Sequence, residues 1–425
     1  MTVHAMRRPM MAFDPQEAEG FFSVEEARQL SLAMASAMPA LPTERIVLEA
    51  AVGRVLADPI SNHEPLPRYD GAMMDGYAIR RGDLIGPGPW KLHIDGKLAA
   101  GTKKSERPVC TPGGALEVVT GAQVFGSLDA VIPHEQVERD GETVTVFQCP
   151  ARNTNIHARG QDAKVGTDLL PAGRVLSTRD IALLAGLGRA EVNVRQRLRV
   201  ACLSVGSELI EVGTKLAREE MHDCNRPMLK AALNREWITY LDLGLIADNP
   251  RTFKDALPLA AGAADVVIVA GGTSGGVQST LGEAVTELGG EIAVHNVAMK
   301  PGKPLMVASL NGSLCVCMPG NPVSVTILLE VLGWDLLRSR TGITGVVPEP
   351  KTAIAGFSML GRPGRAEYPL VRVERLSDQG IPVLDLSLGA NSANLRRLAE
   401  ADGFLHIAPD NADIKKGDPV IWSPF

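Results

Sequence analysis

Residues 199–340 alternate short apolar runs with helical stretches, and this alternation limits the fold more than any other feature of the chain. Segments 200–205, 238–245, 265–270 and 314–318 read as strands, and 227–237, 252–261, 281–288 and 323–337 carry helical spacing. The run Val266-Val267-Ile268-Val269-Ala270 is apolar at every position, which suits a strand covered on both faces. Repeated βα units of this kind predict a doubly wound, parallel-type sheet. In such sheets ligands bind beyond the carboxyl ends of the strands, so chemistry is expected in the loops there.

Three strand ends and one further loop stand out. Ala270 runs into Gly271-Gly272-Thr273-Ser274-Gly275-Gly276. Glycines let backbone N–H groups approach phosphate oxygens, the hydroxyls of Thr273 and Ser274 add donors, and a helix N-terminus favours negative charge. The pattern is neither a Walker loop nor G-x-G-x-x-G, so it predicts neither ATP hydrolysis nor NAD binding; a flexible turn is the plainer reading. Met318 runs into Pro319-Gly320-Asn321-Pro322, where two prolines pin the backbone and Pro322 suits a first helical turn. Such a loop could aim the Asn321 amide at a ligand, or simply start a helix. Glu208 follows Val205-Gly206-Ser207 at a third strand end, as a metal ligand, a hydroxyl acceptor or a solvated carboxylate. Lys300-Pro301-Gly302-Lys303-Pro304 sets two lysines on a proline-stiffened loop, a cationic hook for phosphate or an exposed turn.

The flanking regions have a different texture. Ser23 and Glu26 have capping-box spacing and open a helix to about residue 38. A second helix is expected over 44–52, ended by Pro59, Pro65 and Pro67. Residues 68–148 alternate strand-like fragments (77–79, 90–94, 116–120, 130–133, 143–147) with glycine and proline turns, the pattern of a small β domain. Ser177 and Asp180 cap another helix, which stops at Gly186 and Gly188. The expected division is a discontinuous helical N-terminal domain (14–67 plus 154–196), an inserted β domain (68–153), the α/β domain (197–345) and a small C-terminal β domain (346–425).

Composition removes several function classes. The formal net charge of −6 argues against a nucleic-acid or anionic-membrane face, so an anionic ligand must be held by local donors. No run approaches the roughly 18 apolar residues of a membrane span, and Arg7 and Arg8 precede no apolar stretch of a secretory signal. The six cysteines form no C-x-x-C pair and read as reduced structural thiols, so a cytoplasmic location is expected.

The motifs Met74-Asp75-Gly76-Tyr77-Ala78, Thr120-Gly121-Ala122, Arg159-Gly160-Gln161-Asp162, Leu170-Pro171-Ala172-Gly173 and Gly206-Ser207-Glu208-Leu209 precede Asn225, Gly271-Gly272 and the lysine and Pro-Gly-Asn-Pro loops. Their order and spacing, over about residues 21–422, resemble the molybdopterin molybdenumtransferase family, which includes the E domain of gephyrin. The resemblance implies a four-domain homodimer whose active site lies between the α/β domain of one subunit and the β insert of the other. It implies insertion of molybdate into adenylylated molybdopterin, with Mg2+ and release of AMP. On matching positions it implies Asp75, Asp162 and Glu208 as catalytic, with Glu208 and Asp75 on the metal. It implies Thr120, Asn225, Gly271, Gly272, Thr273, Ser274, Lys300, Lys303, Pro319, Gly320, Asn321 and Pro322 at the substrate. Other molybdenum cofactor biosynthesis proteins are implied partners; nucleic acid and membrane are not.

The chain departs from that pattern in three places. Family members usually continue the central Gly-Gly with a hydrophobic residue, Ser and an acidic Gly-Asp-Tyr-Asp-like stretch. Here Thr273-Ser274-Gly275-Gly276-Val277-Gln278-Ser279-Thr280 carries no acid. Gly206-Ser207 stands where Gly-Asp is usual, and His222-Asp223-Cys224-Asn225 where Tyr-Asn-Ser-Asn is typical. Loss of carboxylates would weaken metal binding more than substrate binding. A non-catalytic molybdopterin-binding or scaffold paralogue on the same fold is therefore the alternative expectation, and transfer to another nucleotide-activated ligand a third.

Overall fold

A computed structural model describes residues 21–272, 277–345, 349–361, 364–386, 394–410 and 413–425. The chain folds as two compact units, Pro59–Pro171 and the residues on either side of it.

The larger unit is built on a six-stranded sheet. Its strands are β1 (Leu198–Val205), β2 (Ile238–Ile246), β3 (Val266–Gly271), β4 (Glu291–His295), β5 (Met306–Leu310) and β6 (Ser313–Met318), in the order β2-β1-β3-β6-β5-β4. The first four neighbours pair in parallel, as the βα alternation requires. Helices α1 (Asn225–Ala232), α2 (Pro250–Ala263), α3 (Val277–Glu287) and α4 (Pro322–Leu328) accompany them. The continuous apolar runs have a direct explanation. Val200, Cys202, Val266, Ile268, Leu314 and Val316 enter one core, while Ala201, Leu203, Val267, Val269, Cys315 and Cys317 enter the other. Successive side chains alternate across the sheet, so both sets must be apolar when both faces are covered. All six cysteines are free thiols, and burial pushes Cys315 up to about 12.

Two strands of this sheet, β4 and β5, are absent from the sequence reading. β5 and β6 form an antiparallel hairpin, and β4 pairs antiparallel on β5, giving the parallel sheet an antiparallel edge. The hairpin turns at Asn311 (φ 49) and Gly312 (φ 81), an Asn-Gly pair suited to a tight turn with positive φ at both positions.

The helix Val24–Ala37 opens with the expected capping box: Ser23 Oγ accepts from Glu26 N at 3.1 Å, and Ser23 N donates to Glu26 Oε2 at 2.9 Å. Ala27, Met34 and Ala35 place it on the first sheet core. The helix expected over 44–52 is not formed. Thr43–Val47 is a strand paired antiparallel with Glu191–Arg195, followed by a 3-10 turn at Leu48–Ala50. A long-range strand partner outweighs a weak local helical pattern here. The helix Thr178–Gly186 carries its capping box between Ser177 and Asp180. The segment 323–337 is helical but interrupted: α4 passes through a π turn at Leu329–Gly333 into the helix Trp334–Thr341. Toward the C-terminus, Lys351–Ala355, Pro382–Asp385, Leu370–Leu376, Gly403–Leu405 and Pro419–Pro424 close a five-stranded barrel.

The unit Pro59–Pro171 contains a second six-stranded sheet, ordered Ala130–Pro133, Gly76–Ile79, Gly114–Val118, Trp90–Leu98, Thr143–Val146, Val137–Asp140. Ala78, Leu116, Val118 and Val131 fill one face, and Tyr77, Ile79, Ala115 and Ile132 the other. No helix among the described residues is long and apolar enough to cross a membrane.

Candidate active site

In the larger unit, three strand ends meet. Gly271 pairs with Val205 at the end of β3, with φ 103. A Cβ there would lie 2.1 Å from the Val205 carbonyl oxygen, so only glycine lets β1 and β3 stay paired to this point. A Cβ on Gly320 would stand 3.6 Å from the Gly271 Cα, which puts the β3 and β6 turns side by side. Asn225, the first residue of α1, donates from Nδ2 to the Gly320 carbonyl at 2.8 Å. Gly271, Gly320 and Asn225 therefore form one cluster, with Gly272 next in the chain. Asn321 Oδ1 accepts from Val323 N at 3.0 Å as the N-cap of α4, and Pro322 opens the helix. Thr273 and Ser274, with Gly275 and Gly276, lie outside the described residues.

Glu208 folds back over its own turn, its Oε1 2.9 Å from where a Gly206 Cβ would be. Its neighbour is a residue the sequence reading missed. Asp248 follows β2, and its N–H donates to Ser207 Oγ at 3.4 Å. Burial first, and the Glu208 charge second, push the Asp248 carboxyl above its usual value. Its Oδ1 is buried with no hydrogen-bond partner among the described residues. The Glu208 charge and the unsatisfied Asp248 oxygen make these two carboxylates candidates to share a cation. No group of three or more His, Cys, Asp or Glu that could hold a metal occurs among the described residues. A pair suits Mg2+, which is bound through one or two carboxylates together with substrate phosphates and water.

The lysine loop packs on the far end of α4, at Leu328, away from the Gly320 turn. Gly302 has φ 111, and a Cβ there would meet Leu328 Cγ at 2.9 Å. Lys300 lies in a two-residue strand beside Ala366–Glu367, and Lys303 Nζ stands 4.4 Å from the Phe21 ring centroid. Among the described residues, neither lysine forms an ion pair, and neither hydrogen-bonds to Gly271, Gly272 or Gly320.

The smaller unit gathers the other predicted residues around the short strand Gly71–Ala72. Ala72 N donates to Ala122 O, and its carbonyl accepts from Gly121 N, both at 2.8 Å. Met73 N donates to Asn155 O at 2.9 Å, and Arg159 N to Asp70 Oδ1 at 2.6 Å. Asp75 Oδ1 accepts from Thr120 N at 2.6 Å and from Thr120 Oγ1 at 2.8 Å. Those two bonds, backbone first, hold the Asp75 carboxyl below its usual range. Asp75 is thus an acceptor at neutral pH, with Oδ2 outside the Thr120 pair. Asp162 Oδ1 pairs with His157 Nε2 at 2.7 Å. Gly76 is required beside Asp75, since a Cβ would lie 2.0 Å from Ile132 O.

The chain is 33% identical over 387 residues to a molybdopterin molybdenumtransferase of Haemophilus influenzae, covering 90% of this chain and 94% of that protein. It is 30% identical to molybdopterin molybdenumtransferase 2 of Mycobacterium tuberculosis, covering 94% and 99%. The chain belongs to the molybdopterin molybdenumtransferase family. Family models match in chain order: the MoeA N-terminal region (domain I and II) over 22–188, a probable molybdopterin binding domain over 201–339, and the MoeA C-terminal region (domain IV) over 352–425. The fold agrees with a crystal structure of the molybdopterin biosynthesis moeA protein from Pyrococcus horikoshii, at TM-score 0.80 and 26% identity, covering 96% of this chain and all of that one. The multidomain α/β architecture expected from the sequence is therefore the family architecture.

Within this molybdenumtransferase fold, Asp248 had one legible signal: an Asp-Asn-Pro helix start directly after an apolar strand, where a carboxyl end places it among ligand loops. Asp223 and Arg226 are spaced for a local i,i+3 pair, but their other partners, Ser204, Glu211 and Asp242, lie 15 to 19 residues away in sequence.

Proposed function

We propose that the chain is a Mg2+-dependent molybdopterin molybdenumtransferase, inserting molybdate into adenylylated molybdopterin with release of AMP. The observation that carries this is the strand-end cluster: glycine turns at Gly271 and Gly320, closed by Asn225, beside the carboxylate pair Glu208 and Asp248. The turns leave room for phosphate groups to approach backbone, and Lys300 and Lys303 supply cationic charge without a competing carboxylate partner. Glu208 and Asp248 would hold Mg2+; the sequence-based partner for Glu208 was Asp75, and Asp248 adds a second carboxylate on the same unit. When bound, Mg2+ supplies neutralisation of the phosphoanhydride charge as AMP departs. Asp75, kept ionised by Thr120, accepts a hydrogen bond from substrate or from the molybdate-bearing group, and Asp162 does so with its orientation set by His157. The four-part domain division, the homodimer, the cytoplasmic location and exchange with other cofactor-biosynthesis proteins belong to the same proposal.

The test supplies purified protein with adenylylated molybdopterin, molybdate and Mg2+, and follows AMP release together with formation of active cofactor. Turnover that disappears in Asp75→Asn supports the enzyme. Tight pterin binding with no AMP release at any Mg2+ concentration overturns it in favour of a scaffold paralogue.

A further inference from the structure

Behind the glycine turns lies a buried charge cluster that the proposed reaction does not use. Arg226, in the first turn of α1, is 6% exposed. Its Nε donates to Asp223 Oδ2 at 2.7 Å, one Nη to Asp242 Oδ1 at 2.5 Å and the other to Glu211 Oε1 at 2.6 Å. Burial works against the guanidinium charge, but these bonds outweigh it and raise its pKa above the usual value. Asp223 is 2% exposed, and its Oδ1 accepts from Ser204 Oγ at 3.0 Å and from Asn225 N at 2.9 Å. One guanidinium thus ties together the loop after β1, the segment entering α1, and β2. Burying such a cluster is costly, and removing one member leaves uncompensated charge.

The group this cluster holds in place is Asn225. Its side chain is almost fully buried, 4% exposed for the residue as a whole. The Gly320 carbonyl can only accept, so the amide nitrogen must face it, which fixes the orientation of the amide. Oδ1 then points the other way, and it is buried with no hydrogen-bond partner among the described residues. An unsatisfied acceptor at a ligand cluster selects for a donor. Ionised phosphate oxygens carry no proton and cannot fill that role. An N–H group of a fused heterocycle can.

We propose that Arg226 and Asp223 are positioning residues that lock Asn225, and that Asn225 Oδ1 accepts a hydrogen bond from an N–H on the heterocyclic part of the substrate rather than from its phosphates. This rests on the reaction proposed above, and it assigns the glycine turns and Asn225 to different parts of one ligand.

The experiment measures binding of adenylylated molybdopterin directly, and of inorganic pyrophosphate by competition, in the full-length protein. Asn225→Ala, which removes the ligand bond together with the Nδ2 bond to Gly320, is expected to weaken the pterin nucleotide about 10-fold or more and to leave pyrophosphate within about twofold. Arg226→Met is expected to match Asn225→Ala, and Arg226→Lys to recover part of the loss. In the double variant the two losses should not add, because Arg226 acts through Asn225. Additive losses assign Arg226 a merely structural role and overturn the positioning claim. If Arg226→Met does not fold, the cycle is run with Arg226→Lys. Equal weakening of both ligands by Asn225→Ala, or of neither, overturns the acceptor claim while the reaction stands. Unaltered protein that binds pyrophosphate but not the pterin nucleotide sinks the reaction itself.

Discussion

The two halves of the predicted residue set are held by different physics. In the larger unit, Gly271, Gly320 and Asn225 are fixed by backbone proximity and by an ion cluster in which Asp223 and Arg226 are nearly inaccessible to solvent. In the smaller unit, Asp75 and Asp162 are exposed carboxylates steered by one neighbour each, Thr120 and His157. A site on buried supports is rigid and intolerant of change, whereas a site on exposed side chains can lose chemistry without losing structure. The contrast predicts that substitutions in the first region will damage stability and function together, and that those in the second will separate them.

The largest effect is expected at Gly271→Ala. A methyl group 2.1 Å from the Val205 carbonyl cannot be accommodated without breaking the β1–β3 pairing, and φ 103 adds strain. Loss of about 3 kcal/mol or more, measured by denaturant unfolding, is expected along with complete loss of turnover. A stable Gly271→Ala protein would remove the rigid half of the comparison.

Asp75→Asn should show the opposite behaviour. The midpoint of thermal unfolding should stay within about one degree, while AMP release falls about 100-fold or more, as for loss of a group acting on the reacting centre. A parallel fall in thermal stability would place Asp75 in the structural class instead.

Asp248→Asn sharpens the metal assignment. Because the folded-state pKa of Asp248 is raised, its ionisation opposes folding. That penalty is absent below the ordinary carboxylate range and grows as pH rises through the raised value. The variant should therefore melt higher than the unaltered protein at neutral pH without metal, yet gain less from added Mg2+. Scanning calorimetry with and without Mg2+ reads both signs, and an undiminished Mg2+ gain places the ion elsewhere.

The smallest effect concerns pH. The Thr120 bonds stabilise ionised Asp75, a contribution present above the ordinary carboxylate range and lost as pH falls through the lowered pKa. Thr120→Val removes the hydroxyl bond and keeps the backbone one, so the acid limb of kcat/KM should move to slightly higher pH. An unmoved limb means that Asp75 does not set it.

Much of this architecture was legible in the chain. The continuous apolar run at 266–270 announced a strand covered on both sides, and the two sheet cores it enters give the reason; in 200–205 the one buried polar residue, Ser204, is satisfied by Asp223. Capping boxes at Ser23 and Ser177 were read correctly because their partners lie three residues away. The helix expected over 44–52 failed for the converse reason: Thr43–Val47 takes its partner from Glu191–Arg195, about 150 residues later. The Asn311-Gly312 turn was a local signal passed over, and with it the hairpin of β5 and β6.

The same division runs through the candidate site. Glycine turns, proline-pinned helix starts and paired lysines are written in neighbouring residues, so the chain alone marked the loops at Gly271, Gly320 and Lys300 as candidates for a ligand, with plain turns as the alternative. It also placed Glu208 at a strand end. Which of these groups stand together depends on the strand order β2-β1-β3-β6, and on hydrogen bonds that close over long loops. That order sets Gly320 beside Gly271 and brings Asp248 to Glu208. It also converges Glu211, Asp223 and Asp242 on Arg226. Local backbone preferences carry no information about those meetings, because they are paid for by burial and charge pairing in the assembled core.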